Sequence, residues 1–303
     1  MRTIPALAAA TGLALLLALP LRAETFKEAF PDIVPQIMEQ YRDRTAALQL
    51  LHGTIPLGAG DSQVAVAPGY YMLGPADARY VLETLWGNPP DDTVQGLLFP
   101  PGMTPFDQQG WVATFQFDPM GYVSDADAEG YDYDALLEEM KADATSENAL
   151  RQKDGYPTVT LLGWAEPPHY DQASRSLFWA KRLQFSGSQA ETLNYNIRVL
   201  GRKGVLVINF IADMTSLEQV RQDAPKVAAM VSYTQGNRYS DYVPGVDTVA
   251  AMGIGGLIAG KVLANSGLLA IALLFLKKAG FLVLVPVAWV WNRLRGRSSG
   301  PGA

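Results

Sequence analysis

Four successive strand signals between Pro157 and Ala212 constrain this chain most. They read "PTVTLLGWAEP", "RSLFWAKRLQF", "TLNYNIRVLG" and "KGVLVINFIA". Each is short, rich in β-branched and aromatic residues, and bounded by turn residues. "GRKG" at 201–204 is a two-residue hairpin turn flanked by Gly201 and Gly204. Leu177, Trp179, Lys181, Leu183 and Phe185 share one face of the second strand by the period of two. The fourth run is apolar on both faces, as a central strand should be.

Other signals surround this block. "IVPQIMEQYRDRTAALQLLHG" has helical apolar spacing and stops at Gly53, which puts His52 at a helix end in a structural role. "GTIPLGAGDSQVAVAPGYYML" reads as strand, turn and strand. "PADARYVLETLWGNPP" reads as a helix from Pro75 to Trp86. "WVATFQF" alternates as a strand, and "DYDALLEEMKADA" follows an acidic loop as a helix. "TSLEQVRQDAPKVAAMV" opens on a capping box from Thr215 to Glu218. The expectation is an α+β domain, an antiparallel sheet with packed helices.

The two ends differ from this domain. Arg2, an uncharged run from Thr3 to Leu21 and "LRA" ending at Ala23 form a signal-peptide pattern over 1–23. An uncleaved anchor is the alternative. All 30 acidic residues lie in 24–248, with 16 Lys and Arg, a net −14; after Asp247 come six basic residues and no acid. From Val249 to Phe275 the one charge is Lys261. The span 249–276 would reach about 42 Å as a helix, enough to cross a bilayer. It is followed by a basic apolar tail, 277–303, interfacial or a second short span, in which Trp289 and Trp291 suit an interface. By the positive-inside rule Lys277 and Lys278 are cytoplasmic and the acidic domain is outside. These features predict a membrane-anchored chain with its main domain extracytoplasmic.

Several function classes drop out. With no cysteine there is no disulfide, thiol nucleophile or thiolate metal site. An acidic domain argues against nucleic acid. "GGLIAGKV" at 255–262 imitates a phosphate loop, but Val262 replaces its hydroxyl residue and the flanks are not strand and α/β helix. No nucleotide is expected. Gly253, Gly256 and Gly260 instead form a small-residue face suited to helix association in lipid, with a second copy or a membrane-protein partner.

Three polar groups are candidate sites. Trp164, Glu166, His169, Tyr170 and Asp171 form a Pro-kinked loop holding one of two histidines. A His–carboxylate pair suits acid–base work, and Ser174 or Ser176 would supply a hydrolase nucleophile, although no nucleophile elbow is present. Local packing of that loop is the simpler reading. Asp125, Asp127 and Glu129 match part of a calcium loop, but position 12 is Leu136 and Ca²⁺ is the only cofactor suggested. The simpler reading is a solvated acidic loop. Asn194, Asn196 and Arg198 share one strand face, either a solvated stripe or the lining of a ligand groove.

The strings "WGNPP", "MGYVSDADA", "GWAEPPHYD", "SLFWAKRLQF" and "TLNYNIRVLGRKGVLVINF", with "GIGGLIAGKV", resemble a family of bacterial membrane-anchored proteins known as domain of unknown function 2167. The resemblance runs from about Gly53 to Lys278. It implies an exported, anchored protein and carries no activity. Where that family has a His-Lys pair, this chain reads "SRS" at 174–176. The order of strands and helix before "VSYTQGNRYSDY" is similar to the Mog1/PsbP-like sandwich. The functional expectation is an anchored envelope protein whose outer domain binds a protein or small ligand. The alternatives are a hydrolase using 164–171 and an accessory subunit of a membrane complex.

Overall fold

The computed structural model describes residues 22–107, 109–128 and 131–259. The leader 1–21, Glu129, Gly260 and the apolar and basic segment beyond lie outside the described residues. The chain begins with β1 (Arg22–Thr25), α1 (Phe26–Ala29) and α2 (Glu39–Ala46). A cut after Ala23 leaves Glu24 and Thr25 paired with Leu50 and Gln49.

The helix expected to reach Gly53 ends at Ala46. Gln49–Leu57 is instead a strand, β2, which contacts β1 and then β3 (Ser62–Val66) and β4 (Tyr71–Leu73). Leu48 just before it and Leu50 within it enter one core, and Ile55 and Leu57 another. A segment with apolar layers on both sides is satisfied as a strand, so tertiary pairing overrides the helical spacing. His52 therefore sits within β2, 3.0 Å from the Tyr70 carbonyl and 3.2 Å from Glu24 Oε1.

Pro75 opens α3 (Pro75–Arg79), which continues as a π-helical turn to Leu85 before Gly87 and the prolines. Next come β5 (Gly96–Phe99), β6 (Trp111–Asp118) and the long α4 (Tyr133–Lys153). The four strand signals are β7 (Val159–Asp171), β8 (Ser176–Phe185), β9 (Glu191–Leu200) and β10 (Val205–Asp213). After them stand α5 (Leu217–Ala229), β11 (Val231–Tyr233) and α6 (Ile254–Ala259). The expected Thr215–Glu218 box is absent. Asp213 accepts from the Thr215 amide at 2.8 Å, while Glu218 accepts from Gln222. The earlier acid captured the free amide, because the turn before α5 starts two residues sooner.

Among the described residues the strands pair antiparallel, in the order β11-β3-β2-β4-β5-β6-β10-β9-β8-β7, with β1 on β2. The sheet has three apolar layers against it. On one face α5 covers Phe115, Ile197, Ile208 and Phe210, and the Trp111 indole donates to Asp223 on α5 at 2.9 Å. On the other face α1 and α3 cover one half, around Leu97, Phe99 and Val112. The second half, around Leu177, Trp179 and Phe185, lies under α4 and α6. Asn148 on α4 exchanges two 2.8 Å hydrogen bonds with Val159 and fixes α4 at the β7 edge.

Candidate functional site

From the margin of the second covered half toward the first, the sheet face changes character. The register places Trp179, Asn196, Asn209 and Thr114 side by side across β8, β9, β10 and β6. Lys181 pairs with Asn194 in the next row, and Leu177, Arg198, Val207 and Gln116 make the row on the other side. At the usual strand spacing the central row spans about 14 Å. Asn194, Asn196 and Asn209 are 9%, 3% and 9% exposed, so this is not a solvated stripe.

A buried polar group costs free energy unless it finds a partner. Here the partners are partial. Asn196 Nδ2 donates to Asn194 O at 2.9 Å and Asn194 Oδ1 at 3.1 Å. Arg198 Nη1 donates to Ile197 O and Asn209 Oδ1, each at 3.0 Å. Its guanidinium lies 4.8 Å from the Trp179 ring centre, a cation–π arrangement. The Trp179 indole N–H is buried without a hydrogen-bond partner, as is Asp118 Oδ1 at the end of the same face.

The charges respond to this setting. Burial, reinforced by the Arg198 charge, lowers the Lys181 ammonium to about 8, and Glu147 on α4 opposes the shift. Burial also lowers Arg198 to about 10, offset in part by Asp118. Asp118 itself is pushed up by burial and drawn back by Arg198. Burial and Asp143 raise Glu147. Two cations thus flank a row of amides, with one carboxyl at the far end and one above. Sequence reasoning found Asn194, Asn196 and Arg198 but missed Asn209, whose signal was a lone amide inside an otherwise apolar strand.

The 164–171 group is not a loop. It lies within edge strand β7, whose register shifts three times between Leu161 and His169. Pro167 and Pro168 fall at one of those shifts, where an edge strand tolerates a missing donor. The strand divides the expected cluster between both faces of the sheet. Trp164 donates to Tyr133 O at 3.2 Å, and Tyr170 donates to Asp125 at 2.8 Å, both on the α4 side. Glu166 and His169 turn to the α5 side. There Glu166 accepts from Arg221 at 2.9 Å and Tyr195 at 3.1 Å, with His169 Nδ1 at 3.4 Å. Asp171 accepts from Ser174 at 2.7 Å, and Ser176 donates to Ser174 O at 3.1 Å. The serines therefore do not serve the Glu166–His169 pair.

In the acidic loop Asp125 and Asp127 bond to the protein itself, and Glu129, the third expected calcium ligand, lies outside the described residues. Asp125 accepts from Tyr170, from Tyr239 at 2.8 Å and from Arg175. These bonds hold its carboxyl below the usual range although burial opposes them. Arg175 takes left-handed backbone, φ 52°, to reach it and lies 5.0 Å from the Tyr239 ring centre. Asp127 accepts from Tyr131 at 2.8 Å and from the Ile254 amide at 3.3 Å. Among the described residues no three acids or histidines converge on a metal position.

This loop straps down the chain that follows the sheet. Tyr122 stacks between Tyr239 and Tyr242, at 4.6 and 3.8 Å. Arg202 binds Asp247 with two hydrogen bonds, 2.7 and 2.9 Å. Residues 237–247 are thus docked on the domain. The apolar segment follows suit: Ile254, Leu257 and Ile258 enter the core beside α4. A side chain at Gly253 would collide with Asp127, and one at Gly255 with Tyr131. Gly256 is buried. No helix among the described residues is long and apolar enough to cross a membrane.

The family whose description reads "Protein of unknown function (DUF2167)" matches residues 49–288, most of the chain. The chain belongs to this family. No curated protein matches it. Among solved structures it is similar to the cyanobacterial PsbP (CyanoP) of Synechocystis sp., at 11% identity and TM-score 0.35, covering 60% of this chain and 91% of that one. It is also similar to the Ran-binding protein Mog1p of Saccharomyces cerevisiae, at 10% identity and TM-score 0.30, covering 63% and 97%.

Proposed function

We propose that this member of the family is an anchored envelope protein that binds a small ligand or a partner through the polar row, without catalysis. The observation that supports this most is the row itself. Asn194, Asn196 and Asn209 are buried beside Arg198 and an indole N–H with no partner. Buried polar groups in native proteins are normally satisfied, so an incomplete set asks for a missing partner. The hydrolase reading loses support because its serines bond elsewhere. The accessory-subunit reading loses some as well, since Gly253 and Gly255 pack against the domain's own loop.

The anchor and the location are part of the proposal and rest on sequence. With Ile254, Leu257 and Ile258 packed on the domain, the expected span 249–276 is shortened to 260–276, about 26 Å as a helix and at the short end of the range of about 17–25 residues. The signal-like leader and the basic tail set the direction, with the domain outside and the tail inside. Native mass spectrometry of the protein extracted from bacterial membranes tests the function. The wild type is expected to carry an adduct that Asn196→Leu lacks. A bare wild-type mass, with the fold intact, contradicts the reading.

A further inference from the structure

We propose that the polar row receives an oxyanion, a carboxylate or phosphate group, on the Nε–Nη2 edge of Arg198. This rests on the reading of the row as a ligand site and adds the chemistry of what it holds.

The assignment comes from which hydrogen-bonding capacity is already used. Arg198 spends Nη1 on the protein, through Ile197 O and Asn209 Oδ1. Among the described residues its Nε and Nη2 have no hydrogen-bond partner, and the residue is not fully buried. That edge is the one whose two parallel N–H bonds match a pair of anionic oxygens. The same bonds orient the amides. Asn209 uses its oxygen on Arg198, so its NH₂ remains to donate. Asn194 uses its oxygen on Asn196, so its NH₂ remains as well. The Trp179 indole, buried in the same row, adds a donor that can accept nothing. The buried acceptor without a partner on this face is Asp118 Oδ1, at its far end. Donors therefore dominate the centre of the row. A divalent cation needs an oxygen-rich shell that this row does not offer.

Isothermal titration calorimetry on the full chain in detergent micelles tests this. The probes are succinate, inorganic phosphate and the neutral succinamide, at matched ionic strength. Saturable heat from succinate alone assigns a carboxylate, and from phosphate alone a phosphate. Arg198→Leu is expected to weaken the binding at least tenfold. Because that change also strips Asn209 of its partner, Asn194→Asp provides a second test. It replaces a donor with an anion, keeps the size and is expected to weaken binding about tenfold with the thermal transition retained. Anion binding unchanged in both variants overturns the assignment. Heat from succinamide with none from either anion overturns the oxyanion but leaves the row a ligand site. Silence from all three probes overturns the oxyanion, and silence together with a bare native mass overturns both readings.

Discussion

Single residues carry most of the chemistry here, and two of them give direct tests. Lys181 is lowered to about 8, chiefly by burial. A depressed lysine binds fewer protons when folded than when unfolded, so its contribution to stability rises with pH from about 8 toward its unfolded value near 10.4. Above about 10 the tyrosines raised by burial, such as Tyr195, act in the opposite direction. Denaturant unfolding between pH 8 and 10 should therefore show rising stability that Lys181→Met abolishes. Asn209 is the second case. Replacing it by Ala removes the acceptor of Arg198 Nη1 and should cost about 1–3 kcal/mol in the same assay. The burial of Asn194 and Asn196 was not legible in the sequence. Alternation gives the shared face of a strand but not what covers it.

At the scale of elements, the strand block was the most readable part. β7 to β10 follow from β-branched and aromatic runs broken by turns, and the Gly201–Gly204 hairpin closes as its glycines imply, with Gly201 N donating to Gly204 O at 2.9 Å. Two misreadings have physical causes. "LQLLHG" is apolar at spacings that fit a helix or a two-sided strand, and only the neighbours β1, β3 and β4 decide. The Pro167–Pro168 pair resembles a loop because a central strand would reject it, yet β7 is an edge. α6 was read as part of a longer lipid-facing helix, since its glycines suit close packing against any partner. In the described structure those partners are Asp127 and Tyr131. Gly255→Leu should expel α6 from Tyr131, at a cost of roughly 1–3 kcal/mol for overpacking. Limited proteolysis should then cut within 248–259 much faster than in the wild type, while cleavage in β8 and β9 stays unchanged.

Over the whole molecule, the sheet and its three layers build a face closed at both ends and polar in the middle. The proposed site rests on that arrangement and needs neither cysteine nor a converging metal set, the latter absent among the described residues. The absence of cysteine makes the orientation testable too. Single cysteines placed at exposed Thr215 and at Ala303 should label differently in intact cells: the first with a membrane-impermeant maleimide, the second only after permeabilisation. Labelling of both in intact cells would contradict one crossing.

The central claim, that the polar row holds a ligand, is met most directly by the Trp179 indole N–H. Its ¹H–¹⁵N resonance can be assigned by Trp179→Phe and followed in protein extracted from membranes, then after unfolding, dialysis and refolding. The account predicts that the signal moves when the ligand is stripped and returns when a membrane extract is added back, and that Asn196→Leu shows neither change. A signal that stays in place through both steps, in a protein that has refolded, would contradict it.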